Sequence, residues 1–278
     1  MNIWQADFYY LPSLPGQDRQ WELTICADLI PTGTRQSGLI HTARCSSKDA
    51  NASWLEQQIS DAASGNLPDR LKVFRPQALG LLTVAAEKLG ITVEATRNTD
   101  VLKQLLVQKY QDDLNYNPLA LDKPPPQALP ESLWGDEWQI ANIAAGQIID
   151  LFSDRPIPIC RIPTEFQPIS IGIPSSVFIP GVVVYGSRTS MQLASWIEKQ
   201  IPAFINYIPT EVGKSGGFIL ETSLVDRWIF NTFESEQAAE IARNYEQKKQ
   251  ASKGLHFLLI QPDDSGMTTT AFWLLRQM

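Results

Sequence analysis

The stretch RLKVFRPQALGLLTVAAEKLGITVEATRNTDVLKQLLVQKY, Arg70 to Tyr110, decides the fold. Leu71 to Phe74 is a short apolar run and reads as a buried strand. Pro76 stands where a helix accepts proline in its first turn. QALGLLTVAAEKLG then places apolar residues at helical spacing and stops on Gly90, a residue suited to the end of a helix. Ile91 to Ala95 reads as another strand. Asn98 or Thr99 caps a further helix, DVLKQLLVQKY. Strand, helix, strand, helix is the pattern of an α/β layer.

Upstream the period is two. Ile3 to Tyr10, Trp21 to Ala27 and Gly38 to Arg44 alternate as strands, and the turn-rich LPSLPGQDRQ separates the first two. Short connections make the three an antiparallel meander. Asn51 or Ser53 then caps a helix carrying Trp54, Leu55, Ile59 and Ala62. Downstream, DDLNYNPLALDKPPPQALPESLWGD breaks the pattern, because three consecutive prolines continue neither a helix nor a central strand. The expected organisation is an N-terminal α/β domain over 1–116, a proline-rich linker over 117–135 and a C-terminal α/β domain over 136–278. The fold class is α/β (α+β).

The second half restarts with WQIANIAAGQIIDLF, read as a strand at Trp138 to Ile143 and a helical turn to Phe152, with helix throughout as the competing reading. Six prolines between Pro156 and Pro180 predict an extended segment unsuited to a central strand. Gly181 to Tyr185 is a strand, and Arg188 or Thr189 opens a helix through Lys199. Three strands follow: Ala203 to Ile208, Gly217 to Thr222 and Arg227 to Phe233. Ser235 opens a helix with acids early and lysines late, as the helix dipole favours. GLHFLLIQ and MTTTAFWLLR close the chain as two strands. PDDSG between them is turn composition, so Asp263 and Asp264 belong to a turn and His256 to a core or edge strand with one hydrogen bond.

At 278 residues, 44% hydrophobic and 19% charged, the chain is an ordinary globular sequence. It shows no membrane span and no signal or transit peptide, and its three scattered cysteines form no CxxC pair; a reducing cytoplasm is the expected location. The net charge of −7 is not that of a uniformly basic nucleic-acid binder. From Arg70 to Lys109, however, seven basic residues face only three acids, a local +4.

Three chemistries bear on these residues. Three antiparallel strands followed by alternating helices and strands resemble a ribonuclease H-like topology, whose enzymes converge three or four carboxylates on two metal ions. Asp7 on the first strand and Glu56 on the first helix suit two of those places. The fourth strand ends in VFRP, so Arg75 stands where a further aspartate is needed, and an arginine repels a divalent ion. The expected domain is a degenerate one with no metal ligands and no catalytic residues. No GxxxxGK[ST] loop is present, and KSGG at Lys214 to Gly217 reads as a hairpin turn. An RNA contact fits better. Arg75 and Arg97 end consecutive strands and share one sheet edge if those strands are parallel, where arginine suits phosphate. With Arg70, Lys72 and Lys103 they form the candidate RNA-binding set. Phe8, Tyr9, Tyr10, Trp21 and Trp54 offer rings for unpaired bases.

WQADFY, WELTICAD, FRPQ, LPESLWGDEW, PGVVVYGSR and KGLHFLLIQPDDSGMTTTAFWLLR occur in this order. Together they resemble the Tab/Atab family of cyanobacteria, green algae and plants, over nearly the whole chain. The resemblance implies a non-catalytic protein without cofactors that binds A/U-rich single-stranded RNA. Its implied target is the 5′ leader of a photosystem I reaction-centre mRNA, whose translation it promotes during photosystem biogenesis, with the ribosome or photosystem assembly proteins as further partners. The lack of a transit peptide is what a cyanobacterial cytoplasmic member shows. The alternatives are an assembly factor acting by protein–protein contact alone, and a metal-dependent nuclease.

Overall fold

The computed structural model describes residues 1–11, 18–28, 38–113, 116–135, 137–153 and 155–277. Residues 12–17 of the turn-rich LPSLPGQDRQ lie outside them. The described chain divides into two units, Met1–Asp122 and Lys123–Met278.

In the first unit the meander is β1 (Ile3–Tyr10), β2 (Gln20–Ala27) and β3 (Leu39–Ser46). Helix α1 (Ala52–Ala63) follows, and the Asn51 side chain caps it by accepting from the Trp54 amide at 3.0 Å. Strand β4 (Arg70–Val73), helix α2 (Pro76–Lys88), strand β5 (Thr92–Ala95) and helix α3 (Asp100–Lys109) complete it. Gly90 takes a φ of +73° just past α2, which is why glycine closes that helix. The strand order is β3-β2-β1-β4-β5. β1 is antiparallel to β2 and parallel to β4, and β4 is parallel to β5.

Alternation along β1 sets the two faces of this sheet. Trp4, Ala6 and Phe8 pack with Leu55 and Ile59 of α1 and with Ala78, Leu82, Ala85 and Ala86 of α2. Tyr9 lies on the other face, with Cys26, Phe74, and Leu102 and Leu106 of α3. Gln5 shares that face, its Oε1 accepting from the Leu102 amide at 2.8 Å.

The second unit holds β6 (Gln127–Ala128), β7 (Glu137–Ala144), α4 (Ile148–Ser153), β8 (Ile159–Arg161), β9 (Phe178–Tyr185), α5 (Ser190–Gln200), β10 (Pro202–Glu211), β11 (Ser215–Thr222), β12 (Asp226–Glu234), α6 (Glu236–Ala251), β13 (Leu255–Gln261) and β14 (Ala271–Arg276). They form a four-stranded sheet, β10-β11-β12-β6, and a five-stranded sheet, β7-β9-β13-β14-β8. The strand reading of WQIANIAA holds: β7 pairs antiparallel with β9 from Glu137↔Tyr185 to Ala144↔Phe178. The proline-clipped segment contributes the three-residue β8 at a sheet edge, where proline neighbours are tolerated, but its last residues, Phe178 to Pro180, open β9, which is an interior strand rather than the extended stretch expected. β13 and β14 form the expected antiparallel pair, and Asp263 Oδ1 accepts from the Ser265 amide at 3.0 Å inside the connecting turn.

Residues 117–135 do not run free of both cores. Leu119 and Leu121 pack against the α3-side core of the first unit. In the second, β6 pairs with β12 and Leu133 is buried beside Val184 and Trp273. No helix among the described residues is long and apolar enough to cross a membrane.

Candidate functional site

The α3-facing side of the first sheet is a layer of buried polar groups. Parallel pairing of Ala6 with Val73 brings the end of β4 level with Asp7. The Asp7 side chain is 0% exposed and that of Arg75 12%. Arg75 Nε donates to both Asp7 oxygens at 2.8 and 3.1 Å, and its Nη2 to Oδ2 at 2.9 Å. The same guanidinium donates to the Pro118 and Ala120 carbonyls at 2.7 and 3.1 Å. Burial raises the Asp7 carboxyl above its ordinary range, and the Arg75 hydrogen bonds and charge offset that only in part. One arginine thus answers the carboxylate and also pins the chain segment leading out of the unit.

Next along the strands, Glu22 accepts from the Tyr9 hydroxyl at 2.5 Å, from Arg44 Nε at 2.8 Å and from Lys109. Burial works to raise the Glu22 carboxyl, but the Lys109, Tyr9 and Arg44 hydrogen bonds outweigh it and hold it below the ordinary range. The Tyr9 hydroxyl moves the other way, pushed up by burial and by Glu22.

Glu56, expected to face Asp7, does not. It sits on α1, against the opposite face of the sheet, and pairs with Lys88 of α2 at 3.0 Å. Strand alternation forbids the convergence, because Asp7 points away from the side on which Ala6 and Phe8 meet α1. Among the described residues no three His, Cys, Asp or Glu side chains converge in a way that holds a metal ion.

The basic set is placed as follows. β4 and β5 are parallel with Val73 opposite Ala95, so Arg75 and Arg97 both leave the sheet at the same edge. Arg70 pairs with Glu94 at 2.9 Å, both about one-third exposed, and Lys72 pairs with Asp28 at 2.9 Å. Lys103 donates to the Arg97 carbonyl and lies 5.6 Å above the Phe74 ring, with the Arg75 guanidinium 5.2 Å from the same ring. Burial lowers the Lys103 amine to about 8, with Asp100 opposing and Arg97 assisting. Arg75 and Lys103 are therefore brought together around Phe74. Arg70 and Lys72 sit further back along β4 in ion pairs of their own.

Of the rings offered for stacking, Phe8 is buried and lies 4.8 Å from Trp21 and 5.8 Å from Trp54. Tyr9 is buried against Glu22. Tyr10 is 45% exposed and lies against Trp21, their centroids 3.7 Å apart.

In the second unit, His256 is buried with two hydrogen bonds rather than one. The Ile205 amide donates to Nε2 at 2.9 Å, so the ring proton sits on Nδ1 and is donated to the Gly254 carbonyl at 2.8 Å. Lys249 is buried beside it and donates to the Ile205 carbonyl, Asn206 Oδ1 and Glu246 Oε1. Lys249 is one of the late lysines of α6, yet it faces inward. The buried stripe Ala239, Ala242, Tyr245, Lys249 has helical spacing and was the signal that placed it inward.

Comparison with known proteins matches both units. The model for the N-terminal domain of the RNA-binding protein Tab2/Atab2 covers residues 3–109, and that for its C-terminal domain covers residues 116–276. The chloroplastic Protein TAB2 homolog of Zea mays is 28% identical over 287 residues, spanning 98% of this chain and 70% of that protein. The homolog of Arabidopsis thaliana is 26% identical, spanning 98% and 74%. Among solved structures, the HTLV-2 integrase catalytic core domain in complex with magnesium is 16% identical over 41% of this chain and 76% of that one; its TM-score of 0.24 carries no argument. The two family models, meeting this chain in order and nearly end to end, show that it belongs to the Tab2/Atab2 family of RNA-binding proteins.

Proposed function

We propose that this protein binds A/U-rich single-stranded RNA without cleaving it. Its target is the 5′ leader of a photosystem I reaction-centre mRNA, and occupying that leader keeps the start region open to ribosomes in the cytoplasm. Family membership across both units is the observation that carries the reading. The first unit, with the strand order and strand directions already described, fits a degenerate ribonuclease H-like scaffold. The Asp7–Arg75 pair supports the non-catalytic part, because the carboxylate that a metal would need is already neutralised by a guanidinium.

Within the basic set, phosphate contacts are proposed for Arg70, Lys72, Arg97 and Lys103. A partly exposed pair such as Arg70–Glu94 exchanges partners at little cost, since surface pairs contribute about 0–1 kcal/mol. Arg75 is assigned a positioning role at the same edge, because leaving Asp7 strands a buried charge.

The test is a translation reaction programmed with a reporter behind a photosystem leader. Added protein is expected to raise output severalfold, and replacing the A/U-rich run by G/C-rich sequence is expected to abolish the response. Output unchanged on either leader contradicts the translational role. Leader RNA incubated with the protein and magnesium is expected to stay intact; cleavage that disappears in Asp7→Asn returns the nuclease reading.

A further inference from the structure

A groove of about 520 Å³ runs between β7 and α6 in the second unit. Its lining includes Trp138, Ile140 and Asn142 from β7, and Gln237, Asn244 and Lys248 from α6. The helix contributes through positions 237, 238, 241, 244, 245 and 248, a single stripe on one face. β7 is the edge strand of its sheet, so one side of its backbone is left unladdered beside the groove.

The chemistry of this lining is selective. In a chain of net charge −7 it contains no carboxylate. Asn142, Gln237 and Asn244 each carry a carboxamide, both donor and acceptor, and none has a side-chain hydrogen bond among the described residues. Lys248 is exposed and has no ion pair among them, whereas Arg70, Lys72, Arg75, Lys88, Lys103 and Lys109 are each engaged within their own unit. Trp138 is half-buried, stacked on Phe233 at 5.8 Å and edge-on to Phe218, which fixes its indole plane. Tyr245 also lines the groove; it is 0% exposed and its hydroxyl has no partner among the described residues. A buried hydroxyl left unpaired is costly.

Trp138 is shared with a smaller pocket of about 280 Å³. There Trp134 is 55% exposed, and the buried Asn231 Nδ2 has no partner. Asn231 stands beside a β-bulge, where the register between β11 and β12 shifts after Phe218↔Asn231, and bulges re-aim side chains.

The geometry points to a base-reading site for single-stranded RNA in the C-terminal unit. One unpaired base stacks at Trp138 and has its edge read by Asn142, Gln237 and Asn244, while Lys248 takes the adjoining phosphate. The neighbouring base sits at Trp134 and Asn231. Flat rings gain from fixed aromatic platforms, carboxamides match the mixed donor and acceptor edges of bases, and the acid-free lining of the larger groove admits phosphate, whereas Glu137 lines the smaller pocket. A peptide laid on the β7 edge would be held by backbone bonds and apolar pockets instead. This inference rests on the proposed RNA-binding function and supplies a site for it.

The test uses the full chain and an A/U-rich RNA carrying 4-thiouridine. Gln237→Glu with Lys248→Glu, and separately Asn244→Asp, change exposed side chains on α6, so each variant is expected to keep the parental circular dichroism and melting temperature. Affinity is expected to fall at least tenfold in the double variant and severalfold in Asn244→Asp. The photo-crosslink is expected on a peptide from β7 or α6. Parental RNA affinity in both variants, with crosslinks confined to residues 70–109, overturns the pocket and leaves RNA binding standing. A parent chain that binds no RNA overturns both readings, and a peptide ligand displaced by the same variants would then assign the groove to a protein partner.

Discussion

Replacing Arg75 by alanine is expected to destabilise the N-terminal unit by about 3–5 kcal/mol, the usual cost of removing one partner of a buried ion pair. Asp7 is wholly buried, and Arg75 meets both of its oxygens. Removing the guanidinium leaves the carboxylate with no cation and strips the Pro118 and Ala120 carbonyls of their donor. The loss is therefore larger than that of the partly exposed Arg70–Glu94 pair, for which Arg70→Ala is expected to cost about 0–1 kcal/mol. Chemical denaturation of the two variants, followed through the N-terminal transition, separates these values. The double variant Asp7→Leu, Arg75→Met is expected to recover much of the stability, because apolar groups of similar size replace buried pairs well. A cost below about 1 kcal/mol for Arg75→Ala would show the arginine free to serve phosphate instead.

The second large effect is an acid transition in the C-terminal unit centred on His256. Burial lowers this ring to about 3, with the Lys249 charge assisting and the Gly254 carbonyl opposing. Above pH 6.5 the ring is neutral in both folded and unfolded chains, and no pH dependence arises from it. Below 6.5 the unfolded chain takes up a proton that the folded one refuses, so stability present at neutral pH is lost as pH falls toward 3. At 1.36 kcal/mol per unit, the loss between pH 6.5 and pH 5 is about 2 kcal/mol, and the full effect is about 5 kcal/mol. His256→Gln keeps an acceptor for the Ile205 amide and loses the bond to Gly254. It is expected to cost about 1–3 kcal/mol at pH 7 and to remove most of the His256-dependent drop by pH 5. Urea titrations of both proteins at the two pH values give the comparison. An equal drop in parent and variant would assign the acid sensitivity to other groups.

Much of the fold was legible because each element carried its own local signal. Period-two alternation gave β1 to β3, Pro76 and Gly90 bracketed α2, and the PDDSG turn closed the last hairpin. The α3-side polar layer was only half visible. Arg75 stood out as a cation in place of a carboxylate, but its partner lies 68 residues away and is set by the parallel register of β1 and β4. Glu56 was misjudged for a related reason: its face depends on how α1 docks, which its spacing does not state. The stretch 117–135 was read from its prolines, and the packing of Leu119, Leu121 and Leu133 carries no repeat. The groove at Trp138 was invisible because its walls are about 100 residues apart in sequence and its carboxamides form no motif.

The most direct measurement is equilibrium binding of the full chain to labelled A/U-rich single-stranded RNA at 50 and 200 mM salt, with and without magnesium. The four phosphate contacts proposed for the first unit, with a fifth at Lys248, give a log–log salt slope of about −3 to −3.5, so affinity is expected to fall on the order of 100-fold between these conditions. The RNA is expected to remain intact, and magnesium to have no effect beyond its ionic strength. Absence of binding at 50 mM salt, or magnesium-dependent cleavage of the RNA, would contradict the account.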